Sequence, residues 1–152
     1  MSSQVLPLSV EALIPHGRSI RMVDELLQVG DSESKAVYTV PGDSQFVDTA
    51  GRMDEAGYIE MIAQTFAAVH GFHLTPEQRA THRGLLIGVK DLIIHGQASV
   101  GDRLTITVQR VVKFGDFGVV DGSVHHQDGR LLAAGQIKVW RPSDESTKDL
   151  LS

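Results

Sequence analysis

The stretch 56–69 reads Ala-Gly-Tyr-Ile-Glu-Met-Ile-Ala-Gln-Thr-Phe-Ala-Ala-Val. At helical spacing it is apolar nearly all round, which is typical of a helix buried on every side. Glu60, Gln64 and Thr65 interrupt the apolar surface, and Glu60 and Gln64, four residues apart, lie one turn apart on one face. Because burying an unpartnered carboxylate is costly, Glu60 indicates either a structural ion pair or backbone cap, or a proton-transferring group.

The composition limits the class of protein. The chain has 152 residues, enough for one domain, and is 41% hydrophobic and 22% charged, as in a soluble globular protein. Its net charge is 14 − 19 = −5 without a basic run, so no nucleic acid is expected as a partner. There is no cysteine, which excludes disulfides and thiolate chemistry. We expect neither a signal peptide nor a membrane span, and therefore a cytoplasmic protein.

The secondary structure signals surround this central helix. We predict the helix over 53–72, with Asp54 and Glu55 in its first turn, where acids are favoured. A short helix over 9–13, capped by Ser9, precedes it. Alternating or apolar runs and the Asp128-Gly129 turn signal predict strands over 20–29, 33–40, 84–94, 102–113, 117–126 and 131–140.

This order of elements predicts an α+β fold in which an antiparallel sheet wraps round one long helix. We expect a single domain over 1–142 and a polar C-terminal tail over 143–152. One sheet and one helix leave part of the apolar surface exposed, so we expect dimerisation.

Four stretches, which together span most of residues 14–140, carry a resemblance to a known family. The first, 14–16 (Ile-Pro-His) followed by 22–24 (Met-Val-Asp), resembles a Leu-Pro-His and Leu-Val-Asp opening. The helix motif 59–64 (Ile-Glu-Met-Ile-Ala-Gln) is similar to Ile-Glu-Ala-Met-Ala-Gln. Residues 88–90 (Gly-Val-Lys) and 100–104 (Val-Gly-Asp-Arg-Leu) resemble Gly-Ile-Asp-Lys and Pro-Gly-Asp-Gln-Leu. The chain thus resembles hotdog-fold 3-hydroxyacyl-thioester dehydratases of the FabZ and FabA type, and more closely their ApeP-like branch, associated with aryl polyene synthesis.

The resemblance implies a hotdog fold in which two subunits join into one continuous sheet. It also implies an acyl thioester substrate on acyl carrier protein, in fatty acid or polyene biosynthesis, without cofactor or metal. One departure is serious, because the classical dehydratases carry Gly-His-Phe-Pro-Gly-His-Pro before the helix, and its first His is the catalytic partner of the Glu. Here 46–52 reads Phe-Val-Asp-Thr-Ala-Gly-Arg and contains no His.

Dehydration needs a base for the C2 proton, an acid for the C3 hydroxyl and a donor for the thioester oxygen. By motif, Glu60 is the acid/base and Gln64 its neighbour. Gln64 would orient Glu60 or the substrate hydroxyl, or be a satisfied buried amide.

Several further groups are candidates for the rest of the site. Asp48 is a possible partner of Glu60, and His16 and His70 are further candidates. Backbone N–H groups of Gly51, Arg52 and Met53 are expected as donors to the thioester.

Two different functions also fit these residues. A thioesterase would use Glu60 to activate water or to attack the thioester, without the missing His. A non-catalytic hotdog subunit would bind an acyl chain or support an active dehydratase, so the assembly is a homodimer or a heterodimer. The retention of Glu60 and Gln64 argues against a purely structural subunit.

Other polar residues have more ordinary explanations. Arg83 and Lys90 are weak predictions for contact with an acyl carrier protein, because solvated charge explains each taken singly. The pairs His70/His73 and His125/His126 are predicted to be surface histidines, not metal ligands, since no third ligand has suitable spacing.

Overall fold

The long helix α1, Glu55–Phe72, is the centre of the fold. A computed structural model describes residues 5–14, 20–81 and 85–140 of the chain. Helix α1 begins two residues later than predicted because Asp54 is its N-cap, with a side chain that accepts from the amide of Ala56 at 2.9 Å. Its predicted end at Phe72 is confirmed.

In the described part of the chain, seven antiparallel strands form one sheet around α1, which confirms the predicted α+β fold. The neighbours in the sheet are β1-β2-β3-β5-β6-β7-β4. Six of the strands correspond to the six predicted runs, and the two-residue strand β1 was not predicted. The bounds are β1 Leu8–Ser9, β2 Glu25–Val29, β3 Ser34–Thr39, β4 Leu85–Ile94, β5 Arg103–Phe114, β6 Phe117–His126 and β7 Leu131–Trp140.

Two short helices complete the described chain. The predicted helix after Ser9 is a 3₁₀ helix, Val10–Ala12, which Ser9 caps. Helix α2, Pro76–Thr81, follows α1 and was not predicted. No helix of the described residues is long and apolar enough to cross a membrane.

The inner face of the sheet packs against α1 through alternating side chains of β5, β6 and β7. Ile106, Val120 and Ile137 are almost fully buried in this core. At Gly122 the sheet lies close against the helix, because a Cβ there would lie 2.3 Å from Cγ2 of Ile62. A side chain at this position would therefore push the helix off the sheet.

One side of α1 is only partly covered by the described residues. Ile59, Ala63, Phe66 and Ala67 are only half-buried, although all four are apolar. This agrees with the expectation that the domain associates with another subunit. The predicted tail over 143–152 and the boundary at 142 lie outside the described residues.

Candidate active site

Glu60 lies on α1, half-buried, and its carboxylate is held by the next turn of the helix. Nε2 of Gln64 donates to Oε2 of Glu60 at 3.0 Å. The i,i+4 pairing predicted from the sequence is therefore present, and it fixes one carboxylate oxygen. Neither an ion pair nor a backbone cap occurs among the described contacts of Glu60.

Gln64 is 1% exposed and connects Glu60 to the segment before β2. Its Nε2 also donates to the carbonyl of Ile20 at 2.9 Å, and its Oε1 accepts from the amide of Met22 at 2.6 Å. Both amide protons of Gln64 are used by these bonds. The predicted strand over 20–29 begins only at Glu25. The backbone N–H of Met22 donates to Gln64 on the helix and is therefore not available to a neighbouring strand.

The loop before α1 is closed by Asp48. Its Oδ1 accepts from the amides of Ala50 and Arg52 at 2.9 Å each, and its Oδ2 lies 3.2 Å from Nε of Arg52. These hydrogen bonds hold the pKa of the Asp48 carboxyl below its usual value, the backbone bond from Arg52 being the largest cause. A carboxyl of this kind stays ionised at neutral pH and is a poor proton donor. The structure places Asp48 in its own loop and does not bring it into contact with Glu60.

The three predicted backbone donors lie in this loop, and each already has an acceptor. The amide of Gly51 donates to the carbonyl of Asp48 at 2.9 Å, and that of Arg52 to the Asp48 carboxylate. The amide of Met53 donates to the carbonyl of Ala98 at 2.8 Å. A thioester oxygen at this loop would therefore share one of these N–H groups with its present acceptor.

Sequence reasoning missed a second set of residues that fixes the start of α1. The hydroxyl of Tyr58, buried in the core, donates to the carbonyl of Gly96 at 3.2 Å and accepts from the amide of Ala98 at 2.9 Å. Nε2 of Gln97 donates to the carbonyl of Met53 at 2.6 Å. A tyrosine inside an apolar helix is a usable signal, because its buried hydroxyl needs a partner.

Lys90 lies on the face of the sheet that points away from α1. It pairs across the sheet with Gln136, whose neighbour Ile137 faces the core. The structure therefore does not bring Lys90 together with Glu60. Arg83 and His16 lie outside the described residues.

The structure differs from the surface prediction at His126 and at His70, whose Nε2 atom is buried. His126 is largely buried, not a surface residue, and it lies between two carboxylates, with Asp102 at 3.3 Å and Asp128 at 3.1 Å. His70 and His73 line a cavity of about 370 Å³ with Phe66 and Val69. Among the described residues, no group of three or more possible ligands is arranged to hold a metal ion.

A long helix carrying one half-buried carboxylate, wrapped by an antiparallel sheet of this order, defines a hotdog-fold protein. The model of the ApeP-like family, the ApeP dehydratases, matches residues 8–151. The chain therefore belongs to the ApeP-like dehydratase family.

Solved structures agree with this fold. The chain is similar to a structure of the dehydratase heterocomplex ApeI:P from Xenorhabdus doucetiae, with 23% identity and a TM-score of 0.80, over 95% of this chain and 98% of that one. It is also similar to a hypothetical thioesterase with coenzyme A from Streptococcus pneumoniae TIGR4, with 15% identity and a TM-score of 0.62, over 78% and 85% of the two chains.

The PaaI protein from the phenylacetic acid degradation operon of E. coli shares 16% identity and a TM-score of 0.60, over 76% of this chain and 81% of that one. At these identities the structures establish the hotdog fold. A comparison with curated proteins finds no match.

Proposed function

We propose that this chain is the Glu-bearing subunit of a dehydratase for 3-hydroxyacyl thioesters carried by acyl carrier protein. The observation that carries the proposal is the Glu60 carboxylate, held at one oxygen by a buried amide on the central helix. Membership of the ApeP-like dehydratase family supports it. We place the reaction in the cytoplasm, in fatty acid or aryl polyene synthesis.

In this reaction Glu60 acts as acid/base. Removal of the C2 proton forms the C2–C3 double bond while the C3–O bond breaks, and the hydroxyl leaves as water after gaining a proton. A positioned carboxylate can take the first proton or deliver the second. Gln64 is buried and its amide protons are used within the chain, so it positions Glu60 and does not touch the substrate.

The second proton-transferring group comes, in this proposal, from another hotdog subunit. The loop that carries His in classical dehydratases has no His here, and its carboxylate, Asp48, is engaged with Arg52. The half-buried apolar side of α1 offers a surface for such a subunit. The similar ApeI:P dehydratase is a heterocomplex, which supports a heterodimer over a homodimer.

The thioester oxygen would be received at the loop of Gly51, Arg52 and Met53, next to the N-terminus of α1. The positive end of the helix dipole favours the charge that develops on this oxygen. Of the two residues predicted to contact the carrier protein, we propose Arg83, since Lys90 lies on the face of the sheet that points away from α1.

The test is mass spectrometry of a 3-hydroxyacyl carrier protein after incubation with the chain, alone and as the assembly purified from its source. We expect loss of water with the assembly, and not with its Glu60→Gln variant. Glu55→Gln is the matched control, because Glu55 is exposed on the first turn of the same helix.

Other products would overturn the proposal in distinct ways. Release of the free acid would make the protein a thioesterase. Equal dehydration by wild type and Glu60→Gln would make it a supporting subunit without a catalytic role.

A further inference from the structure

The outer face of the sheet, which points away from α1, changes from apolar to polar along the strands. Its side chains alternate with Val120 and Val124, which are buried against the helix side. The register of β5, β6 and β7 arranges the outer side chains in four cross-strand rows. From one end these are Phe114–Phe117–Trp140, then Val112–Val119–Lys138, then Gln109–Asp121–Gln136, then Thr107–Ser123–Ala134.

The first two rows form an exposed, largely apolar patch, which we call the knob. Phe114 is 63% exposed and Phe117 is 41% exposed. Nζ of Lys138 lies 5.4 Å from the centroid of the Phe117 ring, which adds a positive charge to the patch. A contiguous exposed apolar patch bordered by polar residues is typical of an interaction surface.

The last two rows form a hollow of about 580 Å³ in the same face. Its lining includes the small residues Ser123, Ala134 and Gly135, so there is room for a large side chain. Its acidic groups are Glu33, Asp91 and Asp121, against one ammonium, that of Lys90. Glu33 already pairs with Lys35 at 3.6 Å, so the complementarity depends mainly on Asp121 and Asp91.

We propose that the knob and the hollow are two halves of one self-complementary interface, and that a second copy of this chain binds there back to back. A two-fold axis relates the two copies. It lies between the two sheets, runs perpendicular to the strands and passes between the second and third rows. It therefore places the knob of each copy over the hollow of the other. It places Phe117 of each copy over the Ser123 row of the other and brings Lys138 near the opposite Asp121. Such a contact closes on itself, as isologous interfaces do.

The position of the surface argues against a carrier protein as its occupant. The sheet separates the outer face from α1, so a thioester arm from a carrier bound there would not reach Glu60 of the same chain. Back-to-back packing also leaves the β4 edge and the half-buried side of α1 free for a hotdog partner. The contact is therefore additional to the heterodimer of the proposed function and independent of it.

The experiment is sedimentation velocity on the purified full chain, and on its co-purified assembly, at equal protein concentration. We expect the mass of wild type to be twice that of Phe117→Ser and of Lys138→Glu. Asp121→Lys should also halve the mass, and the charge swap Lys138→Glu with Asp121→Lys should restore it. Lys113→Glu is the matched control, since Lys113 pairs with Gly118, beside the buried Val139 on the inner side of the sheet.

Two results would overturn the proposal. One is a wild-type mass equal to that of Phe117→Ser and Lys138→Glu. The other is a double variant no larger than either single charge variant, which would show that the two groups do not meet. Dehydration by the assembly should be the same in all these variants, so failure here is separable from failure of the proposed function.

Discussion

Replacing Gln64 by Leu tests the hydrogen bonds through which this side chain connects Glu60 to the segment before β2. Leu has a similar volume and fits the buried site, but it removes three hydrogen bonds at once. The amide of Met22, 1% exposed, loses its acceptor, the carbonyl of Ile20 loses a donor, and Glu60 loses its only described partner.

The size of the destabilisation depends on which of these three groups water can reach after the substitution. A buried N–H left without an acceptor costs about 1–3 kcal/mol, and this applies to Met22. Ile20 is 42% exposed and Glu60 is half-buried, so water replaces much of what they lose. We therefore expect a destabilisation of about 2–3 kcal/mol, most of it from the single orphaned amide.

The assay is urea unfolding followed by the fluorescence of Trp140, the single tryptophan, at fixed protein concentration. With a slope of about 2 kcal/mol/M, the midpoint should fall by roughly 1–1.5 M. Gln64→Glu is the informative companion, because it keeps an acceptor for Met22 but places a second carboxyl beside Glu60. The repulsion raises the pKa of the introduced carboxyl, so this variant should be most stable at low pH and lose stability as pH rises through that pKa. A midpoint for Gln64→Leu within about 0.2 M of wild type would refute the reasoning.

Four further predictions follow from other contacts. Burial raises the pKa of Tyr58, and that of Tyr38 to about 12, so absorbance titration of these two tyrosines should show less than half of them ionised at pH 10, and half-ionisation there would contradict it. Tyr58→Phe leaves the amide of Ala98 without its acceptor and should lower the free energy of unfolding by about 1–3 kcal/mol, measured by urea unfolding. Tyr38→Phe is the comparison variant. Gly122→Ala should cost about 1–3 kcal/mol by pressing on Cγ2 of Ile62, and combining it with Ile62→Ala, which removes that atom, should cost less than the sum of the two single variants; additive costs would place the strain elsewhere. Asp48 has a lowered pKa, so its contribution to stability is present above the ordinary value of 3.8 and is lost as pH falls through the folded-state pKa. Asp48→Asn should therefore reduce the loss of stability at acid pH. An NMR titration midpoint for Asp48 at or above 3.8 would contradict this prediction.

Local signals predicted most of the fold. The strands Phe117–His126 and Leu131–Trp140 match their predicted bounds, because alternating side chains and the Asp128-Gly129 turn fix both ends. Gly129 has a φ of +96°, as that turn requires. Helix α2 was missed even though Pro76 stands at its first position, a favoured place for proline.

Contacts between distant segments account for what the sequence did not predict. In β4 the register shifts between Lys90 and Ile93, with Asp91 at a φ of +55°, and no local residue pattern signals such a bulge. The Glu60–Gln64 pair could be predicted because helical geometry brings residues four apart together. The bonds of Gln64 to Ile20 and Met22 join residues more than 40 positions apart, so helical spacing does not reveal them.

These distant bonds explain how the carboxylate of Glu60 is held in place. Gln64 ties Glu60 to Met22, and two residues on, Asp24 accepts from the amide of Thr39 at the end of β3. Glu60 is thus positioned from the N-terminal segment and the sheet, on the side of α1 that this chain covers. The loop before α1 is fixed by Asp48 and by the carbonyl of Ala98. The two supports meet at Met22, since the hydroxyl of Ser44 lies 3.9 Å from the Met22 sulfur. Glu60 is therefore held within this chain alone, and the proposed second subunit would need to supply only the other proton-transferring group.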